Sequence, residues 1–266
     1  AVEMFQAAAD GAVKALWIAC TNPAQSLPDQ ATVHRALQRA EFVVVQEAFA
    51  TTATAAFADL LLPASTWGEK DGTVTNSERR ISRVRAAAPP AGQARADWAI
   101  AADLARRLAA RIAPERAALF AWPDAAAVWA EHRESTRGRD LDITGMDWQC
   151  LETQGPQQWP MPEGATAGRA RLYEDHRFAT PDGRARFVDV VPTGVAEATD
   201  DEHPVSLLTG RLRDQWHGTS RTGTLGRLHA HEAEPVVDLH PDLLAAQGLA
   251  DGELVRLRSR RGELVL

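Results

Sequence analysis

The chain has 266 residues, a net charge of −7, and 45% hydrophobic and 24% charged side chains, the profile of a globular protein with a sizeable core. Such a length suits two domains better than one. The acidic balance speaks against general nucleic-acid binding, and no apolar run approaches the roughly 18–20 residues that span a bilayer.

In chain order, AVEMFQAAADGAVKALW lacks the basic head and apolar run of an export signal. With no initial Met and an end at RRGELVL, the sequence is expected to be part of a longer chain. Ala15–Cys20 (ALWIAC) reads as a strand covered on both faces, stopped by the turn signal Thr21-Asn22-Pro23. Pro28 and Asp29 open a helix, DQATVHRALQRA, with Val33, Leu37 and Ala40 at helical spacing. A second buried strand follows from Phe42 to Val45, then a short Ala/Thr-rich helix, TTATAAFA, and a third strand, Asp59–Leu62, which Pro63 ends. This β-α-β-α-β order predicts a parallel, helix-covered, Rossmann-like sheet, whose ligands sit at the carboxyl ends of the strands. Those ends are Thr21-Asn22-Pro23, Gln46-Glu47 and Pro63–Gly72.

AAAPPAG, from Ala86 to Gly92, breaks the pattern. A helix is expected from about Asp97 to Ala113 and a shorter one from Pro123 to about Glu134. Arg137–Gly168, rich in Gly, Pro and Gln, reads as irregular surface or packing between domains. RLYEDHRFATPDGRARFVDVV predicts a β-hairpin turning at Thr180–Gly183. The acidic AEATDDEHP, Ala196–Pro204, reads as a domain boundary. Beyond it VSLLTG, PVVDLHP and GELVRLRSRRGELVL suggest short strands of an incomplete β-barrel. The expected division is therefore an α/β segment over 1–85, a helical and hairpin segment over 86–200, and a partial barrel over 201–266.

Two stretches are rich in fixed donors. PASTWGEKDGTVTNSERRISR, Pro63–Arg83, reads as one long loop carrying Ser65, Thr66, Trp67, Gly68, Glu69, Thr75, Asn76 and Arg79. Glycines there let backbone amides approach a ligand, and hydroxyls and Asn donate to its oxygen or nitrogen atoms. A Trp between Thr and Gly is costly to expose unless it stacks. TGRLRDQWHGTSRTG, Thr209–Gly223, has the same character: arginine forks suit phosphates, while Trp216 and His217 offer planar surfaces. The arginines 79, 80, 83 and 85, and again 211, 213 and 221, suggest basic pockets for a small anion in an acidic protein. Two such loops suit a long, anionic, partly aromatic ligand gripped from opposite sides, such as a nucleotide-bearing cofactor.

GxGxxG, Walker A and GxSxG motifs are absent, which disfavours NAD dehydrogenases, P-loop ATPases and serine hydrolases. Cys20 and Cys150 form no CxxC, so they encode neither an iron–sulfur site nor a structural zinc site. Few cysteines and no export signal fit a reducing cytoplasm. His229 and His231 at i, i+2 would share a strand face, but without a third ligand they read as hydrogen-bonding or surface groups. His34, His132, His176, His203 and His240 read as incidental.

TNPAQSLPD, FVVVQEAF, DLLLPASTWGEKDGTVTNSERRISR, TPDGRARF and TGRLRDQWHGTSRTG, in this order, resemble the molybdopterin oxidoreductases that bind two molybdopterin guanine dinucleotides. The similarity is greatest to cytoplasmic assimilatory nitrate reductase catalytic subunits. It spans nearly the whole chain, loosely only over residues 113–170.

The resemblance implies that Asn22, Pro23 and Glu47 hold the guanosine end of one dinucleotide. It implies that Trp67, Gly68, Glu69, Thr75 and Asn76 line the same cofactor. Thr209, Gly210, Arg211, Gln215, Trp216, His217 and Arg221 would contact pterin and phosphate. In the family, molybdenum is carried by the pterin dithiolenes and reduces nitrate to nitrite, with electrons from a donor protein or reductase subunit. The family's [4Fe–4S] cysteine motif and molybdenum-ligating cysteine match neither Cys20 nor Cys150. The chain alone is therefore expected to hold no metal and to be inactive, with no nucleic-acid or membrane partner. A formate dehydrogenase of the same family is the alternative, and a catalytically silent nucleotide-binding module is a further one.

Overall fold

The three expected parallel strands are present, with a helix in the first of their two connections. In the computed structural model, which describes residues 1–232 and 234–266, β1 (Ala15–Ala19), β2 (Phe42–Glu47) and β3 (Leu60–Pro63) form a parallel sheet in the order β1-β2-β3. Leu16 lies opposite Val43 and Ile18 opposite Val45, so the apolar side chains of neighbouring strands share a face. That face is covered by α3 (Gln30–Arg39) through Val33, Ala36 and Leu37. Asp29 caps α3, its side chain accepting from the Thr32 N–H at 3.3 Å. A helix not anticipated from the sequence, α1 (Val2–Ala9), adds Phe5, Ala8 and Ala9 to the same core.

Coverage on both faces is not what forms. On the opposite face Trp17, Phe42 and Leu60 are 41%, 45% and 43% exposed. The cause lies in the connections: α1 and α3 pack on one side, and the β2–β3 link contains only a single 3₁₀ turn, Thr54–Phe57, in place of the expected helix.

Pro63–Arg83 is not one loop either. A 3₁₀ turn at Trp67–Glu69 leads into the hairpin of β4 (Gly72–Thr75) and β5 (Arg80–Val84), and β5 pairs further with β6 (Gln157–Gln158). The β-branched Thr73, Val74, Thr75, Ile81 and Val84 favour this pleated arrangement. Next come α4 (Asp97–Ile112), a 3₁₀ segment Pro114–Phe120 and α5 (Ala125–Glu134). The stretch expected to be irregular holds α6 (Trp148–Thr153) and much of a second core. Ile81, Trp129, Ile143, Met146, Cys150, Leu151 and Met161 are buried together there, Met146 at 0% exposure.

These elements lie in a unit spanning Ala1–Val188; Asp189–Leu266 form a second unit. In the first, the turn at Thr180–Gly183 is made, with Phe178 N–H donating to the Gly183 carbonyl at 3.0 Å. No strands flank it, in keeping with the marginal stability of an isolated two-stranded hairpin. The second unit contains α7 (Gly226–His229), α8 (Pro241–Gln247) and the hairpin of β7 (Arg256–Ser259) and β8 (Gly262–Val265). Val205–Gly210 and Pro235–Pro241, expected as strands, have no ladder partner among the described residues. The expected partial barrel is thus represented by the β7–β8 hairpin alone.

Candidate functional site

At the carboxyl edge of the parallel sheet, Asn22 precedes α2 (Pro23–Ser26), with Pro23 buried in its first turn. The Asn22 carboxamide accepts from the Thr54 N–H at 3.0 Å and the Thr54 hydroxyl at 2.7 Å, and donates to Gln25 at 2.7 Å. It ties the end of β1 to the link between β2 and β3, so this side chain shapes the edge from within. Glu47, half-buried at the end of β2, accepts from the N–H groups of Ala48 at 2.7 Å and Phe49 at 3.3 Å through Oε1. Ser65, after β3, is buried with its hydroxyl unpaired, as is the hydroxyl of Thr52.

One cluster here escaped the sequence reading. Asp97, the first residue of α4, collects three side chains: Lys70 Nζ at 2.6 Å, Gln46 Nε2 at 2.9 Å and Cys20 Sγ at 3.6 Å. Burial alone would raise the Asp97 carboxyl, but hydrogen bonds from Lys70 and Gln46, with the Lys70 charge and the Cys20 thiol, outweigh it and hold it below the ordinary carboxylate range. Burial, and then the charge of Asp97, push the Cys20 thiol up. A carboxylate at the start of a helix is ordinarily explained by the helix dipole, which hides its second role. Lys70 lies within the donor-rich stretch 63–83, where nothing in its sequence neighbours sets it apart.

The loop beyond β3 is closed by its own side chains. Glu69 Oε2 accepts from the Thr66 N–H at 2.8 Å and the Thr66 hydroxyl at 3.0 Å. The Thr66 N–H is the main reason the Glu69 carboxyl lies below its ordinary range. This reciprocal cap presents Trp67, 53% exposed, and Gly68, at which a Cβ would meet nothing within 4 Å. Thr75 and Asn76 lie elsewhere: four residues of β4 carry them roughly 13 Å along the hairpin. Asn76 Oδ1 accepts from the N–H groups of Glu78 and Arg80, both at 3.0 Å, and builds the hairpin turn.

The first arginine cluster does not form an anion pocket. The Arg79 guanidinium donates to the carbonyls of Trp159, Arg169 and Ala170 and lies 5.3 Å from the Trp159 ring centroid. Arg80 donates to the Pro156 carbonyl at 3.2 Å. Arg83, its side chain 8% exposed, pairs with Glu152 and Asp71 and sits 3.5 Å over the Trp148 ring. Arg85 also pairs with Glu152, at 3.1 Å. These cations have protein partners, and they fasten the β4–β5 hairpin to the second core.

In the second unit the loop is open. Thr209, Gly210, Arg211, His217 and Arg221 are exposed, and Trp216 is 49% exposed. Arg211 lies 5.9 Å from the Trp216 ring centroid, within cation–π range, and His217 meets Trp216 edge-on at 4.5 Å. Gln215 is the exception, 7% exposed. Its Oε1 accepts from the Thr222 hydroxyl at 2.7 Å, while its Nε2 is buried without a partner. Arg213 pairs with Asp214 at 3.5 Å. His229 lies on α7, so the shared strand face considered for it and His231 does not exist. His231 meets Asp214 at 2.5 Å, and no group of three or more potential metal ligands occurs among the described residues.

Residues 1–107 match the family model described as Molybdopterin oxidoreductase, and residues 205–266 match the Molydopterin dinucleotide binding domain. The chain is 42% identical over 275 residues to a nitrate reductase of Klebsiella oxytoca, an alignment covering 99% of the chain and 30% of that protein. It is 34% identical to the assimilatory nitrate reductase catalytic subunit of Bacillus subtilis, covering 100% of the chain and 37% of the relative. It is 35% identical to the F420-dependent formate dehydrogenase subunit alpha of Methanocaldococcus jannaschii, covering 95% and 36%. The chain spans about a third of the length of these curated relatives. Acetylene hydratase from Pelobacter acetylenicus shares the fold, with a TM-score of 0.68 at 22% identity over 100% of this chain and 36% of that one.

Proposed function

Because the chain belongs to the molybdopterin oxidoreductases, we propose that it forms the part of a nitrate reductase that binds molybdopterin guanine dinucleotide. The observation that carries this reading is Gln215: a buried carboxamide N–H without a protein acceptor, in a loop of exposed arginines and aromatics. An unpaired buried donor costs about 1–3 kcal/mol, a penalty that a ligand acceptor relieves. The unpaired hydroxyls of Ser65 and Thr52, and the open space at Gly68 and Gly210, likewise suit a large polar cofactor.

Within this reading the first unit contributes Trp67 as a stacking surface, Gly68 and Glu69 as loop backbone, and Glu47, whose Oε1 accepts from the Ala48 and Phe49 N–H groups and whose Oε2 would meet guanine or ribose donors. Asn22, Pro23, Thr75 and Asn76 act through the shape they give the chain, since both carboxamide oxygens already accept from protein groups. In the second unit Thr209, Gly210, Arg211, Gln215, Trp216, His217 and Arg221 bind pterin and phosphate. The partial barrel expected over 201–266, with β7 and β8 among its strands, belongs to the same proposal. So do the segment boundaries at 85 and 200. When bound, molybdenum held by the pterin dithiolenes supplies the redox couple for removing oxygen from nitrate; these residues orient its carrier.

The proposal includes a [4Fe–4S] cluster held by residues other than these, a protein electron donor and a cytoplasmic location. No helix among the described residues is long and apolar enough to cross a membrane. The 266 residues alone are proposed to be inactive: Cys20 is engaged with Asp97 and Cys150 is buried in the second core, so neither is offered to molybdenum. The match to a formate dehydrogenase subunit supports formate oxidation as the second reading. Assaying the full-length protein with nitrate and with formate separates them. In that protein Arg211→Ala should lower molybdenum and releasable guanine nucleotide about tenfold or more, as loss of a charge-assisted hydrogen bond predicts. Unchanged metal and nucleotide content would reject the proposal for this loop.

A further inference from the structure

The β7–β8 hairpin carries a concentration of positive charge outside both loops. Arg256 and Arg258 lie two apart on β7, and Arg260 and Arg261 form the link between Ser259 and Gly262, which pair across the ladder. Arg256 and Arg258 therefore share a strand face, next to the two arginines of the turn. Such a cluster repels itself unless anions answer it.

They do, from earlier in the chain. Arg258 donates to Glu202 at 2.6 Å, Arg260 pairs with Glu197 at 3.5 Å and with Asp200, and Arg261 pairs with Glu197. Asp200 is itself fixed by the His203 N–H at 2.6 Å. The hydrogen bond from Arg261 is the main reason the Glu197 carboxyl lies below its ordinary range. The acidic stretch read from sequence as a boundary is thus laid along the hairpin as an ionic strap. Its pairs are exposed, and exposed pairs are individually weak, so the strap is displaceable. Arg256 has no ion-pair partner among the described residues.

We propose that Arg256, Arg258, Arg260 and Arg261 form a docking surface for an acidic segment of a partner protein that lies outside any helix or strand, and that Glu197, Asp200 and Glu202 occupy it until displaced. The strap shows the kind of ligand the surface accepts, carboxylates carried on irregular, bent backbone. Nucleic acid is disfavoured because no aromatic side chain occurs in residues 251–266 to stack a base.

The test measures binding of a labelled hexaglutamate peptide to the full-length protein by fluorescence anisotropy at low salt. The triple variant Glu197→Gln, Asp200→Asn, Glu202→Gln should bind about tenfold more tightly than wild type. The gain should vanish with Arg258→Ala, Arg260→Ala and Arg261→Ala, and at about 0.5 M NaCl, where screening is strong. Arg256→Ala, which leaves the strap intact, should weaken the peptide severalfold and keeps the test valid should the triple variant not fold. Equal affinity with and without the strap charges, or binding that survives loss of the arginines, overturns the proposal. Tighter binding of an oligothymidylate of equal charge would assign the surface to nucleic acid and overturn it too.

Discussion

At the residue scale, Asp97 shows how one carboxylate organises a sheet edge, joining the ends of β1 and β2 to the loop after β3. Its folded carboxyl titrates below its unfolded value of about 3.9. The stability it contributes is therefore present above that value and is lost as pH falls through the lowered folded value. Asp97→Asn should cost about 1–3 kcal/mol at neutral pH and flatten the acid limb, a difference that urea titrations from pH 7 to pH 2 would measure. Asn22→Ala should cost about 1–3 kcal/mol, because it leaves the fully buried Thr54 hydroxyl and N–H without their acceptor; denaturant midpoints would show it. Residue types mark the stretch carrying Trp67 and Gly68 as donor-rich, but they do not reveal that it folds into a 3₁₀ turn and a hairpin instead of one loop. The Lys70–Asp97 pair was not legible either, since its members are 27 residues apart and no local spacing encodes a contact made by the fold.

At the element scale, the β4–β5 hairpin depends on Arg83, whose fork donates to the Gly72 and Val84 carbonyls, both at 3.2 Å. Arg83→Ala should destabilise the first unit by about 1–3 kcal/mol, as expected when two part-buried carbonyls lose their donor and a buried side chain is truncated. Arg211→Ala, at an exposed position, should stay within about 0.5 kcal/mol. Thermal unfolding of the two variants tests the contrast between a structural arginine and a ligand arginine. From composition alone both clusters read as anion sites, because charge count does not reveal the partner. β1, β2, α3 and α4 were readable from continuous apolar runs and helical spacing. The second core was not: Ile143, Met146, Leu151 and Met161 stand apart among polar and turn residues, without the period that marks an element.

Over the whole molecule, protection should follow packing. Amides of Val43, which donates to the Asp59 carboxylate at 2.7 Å, and of Val45, both buried in the central strand, should exchange slowest. Those of Phe187–Leu208, which lie in no helix or strand, should exchange in the earliest time points of a deuterium-uptake experiment. Comparable protection in both segments would refute this. A parallel sheet was legible because its strands are consecutive and its crossover is local. A barrel rests on distant pairings, which sequence indicates only as isolated apolar segments. The plain succession β1-β2-β3 carries one more consequence. Ligand crevices in open α/β sheets arise where strand succession reverses, and there is no reversal between β1 and β3. Any such switch point would flank this trio, past one of its outer strands, which sets the outer strand ends, more than the middle one, beside the widest opening.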